Sequence, residues 1–181
     1  MSNIHSTTIN RGAIVSMNNM KTISMVSGGI MLHSYVKIYV HFVWSTKNRD
    51  PFLDQQVRPN IHQHILEYAQ TKGISIDTLG VQKEHIDVFI SMRSDQNVDD
   101  VAKLLKGESS HWINSENLIK PKFSWQRGYG AFSISPSHVE AVRSYINNQD
   151  EHHRKKSYIE EVADLLMKYG YNKNEMNKQH E

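Results

Sequence analysis

The run VKIYVHFVW at residues 36–44 sets the fold, because its side chains alternate without a break. Val36, Ile38, Val40, Phe42 and Trp44 share one face, while Lys37, Tyr39, His41 and Val43 share the other. A two-residue period rich in β-branched and aromatic side chains is the signature of a strand. After the loop Thr46-Lys47-Asn48-Arg49-Asp50-Pro51 the period changes. Between about Asp54 and Lys72, Val57, Ile61, His64/Ile65 and Tyr68/Ala69 recur at helical spacing, and Gly73 supplies the stop. Two β-rich runs follow at about 74–82 and 86–92, separated by Lys83-Glu84-His85. Val101, Leu104/Leu105 and Trp112/Ile113 predict a second helix over about 97–114. The aromatic run from Phe123 to Ser135 reads as a fourth strand, made irregular by Gly128 and Gly130. Ser135-Pro136-Ser137 opens a third helix, and a last one spans about Tyr158 to Tyr169 before Gly170.

The order β-α-β-β-α-β followed by helices predicts an α+β, ferredoxin-like (RRM-like) antiparallel sheet with helices on one side and extra C-terminal helices. That arrangement hosts many activities, so function must be argued from side chains.

At 181 residues the chain suits one domain, expected over 34–170. Residues 1–33 hold five of the eight methionines and no sustained apolar period, which predicts a disordered N-terminal extension. Met31 is the expected natural start, and residues 171–181 are expected to form a frayed tail. No run approaches the roughly 18–20 apolar residues needed to cross a bilayer, so no membrane partner is expected. The chain has no Cys, which removes disulfides, thiolate metal sites and cysteine nucleophiles and fits a reducing compartment. Because Arg11 and Lys21 lie in the extension, residues 34–181 carry 19 basic against 19 acidic side chains. Any nucleic acid must therefore be held by a local patch and not by a bulk positive field.

Three constellations carry chemistry. In His85-Ile86-Asp87 the first and third side chains of a strand share a face, so an imidazole and a carboxylate can meet one cation; the same spelling also describes a strand-end pair with no ion. Tyr145 and Gln149 are four apart on a helix and can serve one site, although ordinary amphipathic packing gives the same pattern. Lys47, Arg49, Lys103, Lys106, Lys120, Lys122, Arg127, Arg154, Lys155 and Lys156 could contact phosphates, and Trp125 could stack on unpaired bases. Adjacent His152 and His153 diverge by about 100° on a helix and cannot chelate one ion together. His41, His62, His64, His111 and His138 read as surface or structural.

In their order, the segments YVHFVWSTKNRDPFL (39–53), KEHIDVFISM (83–92), LLKGESSHWIN (104–114), FSWQRGYGAFSISPSHVEAV (123–142) and YINNQDEHHRK (145–155) resemble the single-tyrosine HUH transposases of the insertion-sequence-200-like (TnpA-like) family. The resemblance implies a metal-dependent enzyme that cleaves and rejoins single-stranded DNA at hairpin-containing element ends, acts as a homodimer and uses Mg²⁺ or Mn²⁺. By position, Tyr145 would be the nucleophile that forms a 5′-phosphotyrosine link, with His85, Asp87 and Gln149 as metal ligands. Lys47, Arg49, Lys106, Trp125, Arg127 and Arg154 would contact DNA. It also implies a cytoplasmic, nucleoid-associated protein of a bacterium or archaeon. In relatives the tyrosine helix can pair with the other subunit's metal strand. The family pattern is His-hydrophobic-His, whereas this chain has Asp87 at the second position. Asp suits a hard cation but adds negative charge beside a phosphodiester, so the departure predicts retained DNA binding with cleavage altered or lost. The alternative is a non-catalytic binder of single-stranded or hairpin DNA derived from such a transposase.

Overall fold

The computed structural model describes residues 35–149 and 158–171. The N-terminal extension, Arg154 and its neighbours, and the tail beyond Tyr171 lie outside the described residues.

The alternating run forms strand β1 (Ile38–Ser45), followed by helix α1 (Arg58–Thr71), β2 (Ser75–Val81), β3 (His85–Met92), α2 (Val98–Ser115), β4 (Gly130–Ile134), α3 (Val139–Asn147) and α4 (Tyr158–Lys168). The sheet order is β2-β3-β1-β4, with every neighbouring pair antiparallel. This is the ferredoxin-like arrangement predicted from the sequence. It places β1 and β3 at the centre, where Val43 faces Asp87 and His41 faces Phe89 across the pair.

The local signals account for most element ends. Asp54 Oδ1 accepts the backbone N–H groups of Gln56 and Val57, so residues 54–57 form a turn and α1 begins four residues later than its apolar spacing suggests. Asn97 caps α2 by accepting the N–H of Asp100, beside two acidic residues that suit the helix N-terminus. Gly170, at φ 86, ends α4 in a conformation that glycine adopts without strain.

The even face of β1 makes the main core. Val40, Phe42 and Trp44 pack with Ile86, Val88 and Ile90 of β3 against Ile61, Ile65 and Ala69 of α1 and Val101, Ala102 and Leu105 of α2. Each fully buried side chain of this size contributes about 1.5–3 kcal/mol.

Helices α1 and α2 cover the even face, as the ferredoxin-like reading expects, whereas Val139 and Ile146 of α3, one of the extra C-terminal helices, pack on Phe89 of the odd face. Tyr39, Phe89 and Ile134 make that second face apolar in part, so it too must be covered. One expectation needs correction: the fourth strand is shorter than the aromatic run. Gly128 has φ 77, and Trp125 forms only an isolated bridge to Thr46, leaving the ladder to start at Gly130.

Candidate active site

The odd face of the sheet, opposite the main core, also carries the polar side chains of the candidate site. His85 and Asp87 emerge from β3 on this face, as their spacing predicts, with His85 Nε2 3.2 Å from Asp87 Oδ2. Both residues are only 1% exposed, so neither is a solvated strand end. Asp87 Oδ1 is bonded to His41 Nε2 at 2.8 Å, and Gln149 Nε2 donates to Asp87 Oδ2 at 3.2 Å. Burial alone would raise the Asp87 carboxyl, but the hydrogen bonds and charges of His41 and His85 outweigh it and hold the group well below the usual carboxylate range. It is therefore an ionised acceptor with three close polar neighbours.

His41 was expected at the surface or in a structural role; it is 2% exposed and belongs to this cluster. The missing signal was register. His41 and Asp87 lie on the same face only once β1 is known to pair with β3 such that His41 opposes Phe89.

Helix α3 delivers Tyr145, and Gln149 follows two residues beyond its last turn. Two features seat this helix on the sheet. At Gly80, the cross-strand partner of Asp87, a Cβ would lie 2.9 Å from Ile146 Cγ2, so the absent side chain lets α3 approach. Arg143 grips Asp77 of β2 with Nε donating to Oδ1 at 2.7 Å and Nη2 donating to Oδ2. The Tyr145 ring then meets His41 edge-on, with centroids 6.1 Å apart.

Helix α4 closes the cluster with residues that no motif announced. The Tyr158 ring stacks on His85 at 4.4 Å, and Tyr145 Oη donates to Glu161 Oε2 at 3.4 Å. Val43, His85, Asp87, Tyr145, Tyr158 and Glu161 enclose a space of about 10 Å³. A second cavity of about 700 Å³ also borders Tyr145 and Glu161 and runs between β4, α3 and α4. Burial, then the charges of Asp87 and Glu161, push the Tyr145 phenol well above its ordinary range. Burial and Asp87 push Tyr158 up to about 12.

The donor set fits a hard divalent cation: one imidazole nitrogen, one carboxylate oxygen and, after a half-turn of the amide, one carbonyl oxygen. Gln149 Oε1 is buried and has no hydrogen-bond partner among the described residues, which is the kind of orphan an ion satisfies. No group of three or more His, Cys, Asp or Glu side chains among the described residues is arranged to hold a metal, so the amide is needed to complete a three-donor set.

The basic residues fall into two environments. Lys47, Arg49 and Arg127 are exposed on two loops joined by the Thr46–Trp125 bridge and by the Asn48 N–H donating to Gln126 Oε1, at the end of the sheet where His85 begins β3. Lys106 instead turns its ammonium onto the carbonyls of Gln126 and Gly128, and burial lowers it to about 8. Trp125 is not an exposed stacking ring. It is 9% exposed, packs edge-on against Trp44 and Phe123, and donates Nε1–H to Ser109 Oγ at 3.0 Å.

The structure is thus a ferredoxin-like sheet with a helix-borne tyrosine beside a histidine–carboxylate pair, and comparison with known proteins names its family. The sequence model of the IS200-like transposases matches residues 34–149, and the chain belongs to that family. It is 23% identical over 116 residues to the ISDra2 transposase TnpA of Deinococcus radiodurans, covering 61% of this chain and 83% of that one. Among solved structures, its fold is similar to a putative transposase from Deinococcus radiodurans R1, with TM-score 0.54, 22% identity and coverage of 69% of this chain and 98% of that one. It is also similar to a REP-associated tyrosine transposase bound to a REP hairpin, with TM-score 0.52, 16% identity and coverage of 67% and 72%. No helix among the described residues is long and apolar enough to cross a membrane.

Proposed function

We propose that this transposase cleaves and rejoins single-stranded DNA at hairpin-containing ends, with Tyr145 as the nucleophile. The observation that carries the reading is that Tyr145, His85 and Asp87 of one chain border a single enclosure, with Gln149 bonded to Asp87. In this scheme Tyr145 Oη attacks the scissile phosphorus and forms a 5′-phosphotyrosine bond, while the 3′ oxygen leaves as a hydroxyl that later reverses the step on a new strand. The bond energy is retained in the covalent link, so no nucleotide triphosphate is required.

His85, Asp87 and Gln149 would hold Mg²⁺ or Mn²⁺. Such an ion, when bound, withdraws charge from the phosphate. His41 keeps Asp87 ionised and oriented, a supporting role of the kind that fixes ligand geometry. Lys47, Arg49 and Arg127 are the candidate phosphate contacts, and Lys106 holds the loop that carries Arg127. A hairpin partner is supported by the hairpin bound to the REP-associated relative. A homodimer is part of the proposal, as the resemblance implies.

Asp87 at the position of the family's second histidine favours a second reading: a hairpin binder that no longer cleaves. One assay separates the two. Protein, Mn²⁺ and a hairpin oligonucleotide labelled at its 3′ end should give a denaturation-resistant protein–DNA band that Tyr145→Phe abolishes. Binding without that band selects the second reading.

A further inference from the structure

Glu161 of α4 has no place in the scheme above, yet Tyr145 Oη donates to its Oε2 at 3.4 Å. A phenol that attacks phosphorus must give up its proton, and the acceptor must be within hydrogen-bond reach or draw into it when substrate binds. Among the described residues, the other carboxylate that borders the small enclosure, Asp87, is committed elsewhere. Asp87 Oδ1 is held by His41, and Oδ2 by His85 and Gln149. Glu161 is only partly buried, and it borders both the small enclosure and the cavity of about 700 Å³, so a proton passed to it has a way out.

We propose that Glu161 is a catalytic residue of this transposase, the general base that takes the Tyr145 proton; the assignment rests on the tyrosine reading given above. In the cleavage step the Tyr145 O–H bond breaks and its proton passes to a Glu161 carboxylate oxygen. The Oη–P bond forms, the P–O3′ bond breaks, and the departing 3′ oxygen takes a proton from water. In the joining step a 3′-hydroxyl attacks the phosphotyrosine, its proton passes to water, and the departing Tyr145 oxygen recovers its own from Glu161. The same carboxylate therefore serves both directions.

The test is single-turnover adduct formation with Mn²⁺ and a hairpin oligonucleotide, comparing wild type, Glu161→Gln and Glu161→Ala. Glu161→Gln keeps the shape and a hydrogen-bonding amide but cannot accept the proton, so the rate should fall by about 10²-fold or more while hairpin affinity stays the same. Added formate should restore Glu161→Ala in proportion to its concentration, a rescue that a merely structural role would not show. Wild-type rates in Glu161→Gln, or a faster reaction in it, would overturn the assignment, as would failure of formate to rescue Glu161→Ala protein that still binds the hairpin. Loss of hairpin binding in both variants would also overturn it, since Glu161 would then be structural. An unreactive wild-type protein would instead overturn the tyrosine reading itself, and this assignment with it.

Discussion

His41 and Asp87 are bonded across β1 and β3 at 2.8 Å, and both are almost wholly out of water. A buried carboxylate that loses such a partner bears an unpaid desolvation cost, so His41→Ala should destabilise the fold by about 1–3 kcal/mol. Urea unfolding at neutral pH checks this. An unchanged midpoint would mean that the pair does not hold the sheet face together.

Seating of the tyrosine helix depends on the missing side chain at Gly80. Gly80→Ala should cost about 1–3 kcal/mol and weaken adduct formation, because its new methyl meets Ile146 Cγ2. Against an Ile146→Ala background, which removes that methyl, the same change should cost much less. A double-mutant cycle with no coupling between the two sites would contradict the close approach.

The sequence made the strand and site motifs legible to different depths. Alternation in 36–44 revealed β1 and its two faces, since a half-buried strand needs no tertiary information to show its period. His85 and Asp87 could be assigned to one face for the same reason. His41 could not, because its value depends on which strand lies beside β1 and in what register. Tyr158 and Glu161 were illegible because they reach the site through the docking of α4, and an amphipathic period does not say where a helix docks. Trp125 misled for the opposite reason: an aromatic among basic residues reads as a base-stacking ring, yet its indole fills the core beneath them.

High pH should expose the buried phenols. An unfolded tyrosine loses its proton near 10, whereas Tyr158 keeps its proton to about 12 and Tyr145 is also shifted upward. Between these values the unfolded chain binds fewer protons than the folded one, so stability falls as pH rises from about 10 to 12. Denaturation across that window should show the decline, and Tyr158→Phe should reduce its slope. A flat profile would contradict the burial of these rings.

Divalent cations should stabilise the fold through the His85, Asp87 and Gln149 set. At an Mn²⁺ concentration 100 times its dissociation constant the gain is about 2.7 kcal/mol. Thermal unfolding with and without Mn²⁺ measures it, and both His85→Ala and Gln149→Ala should remove most of the shift. An equal shift in wild type and variants would place the ion elsewhere.

Tyr145 and His85 meet within one chain, so subunits with separate defects should not repair each other. Mixing Tyr145→Phe with His85→Ala should give no more adduct than either alone. Recovered activity would show that the tyrosine helix works on the neighbouring subunit.

Mass spectrometry of the protein–DNA adduct, digested to peptides, asks most directly whether this constellation is the reactive centre. The nucleotide should be found on the peptide containing Tyr145, linked through its 5′ phosphate. A modification on Tyr158 or another side chain, with Tyr145 intact, would contradict the account.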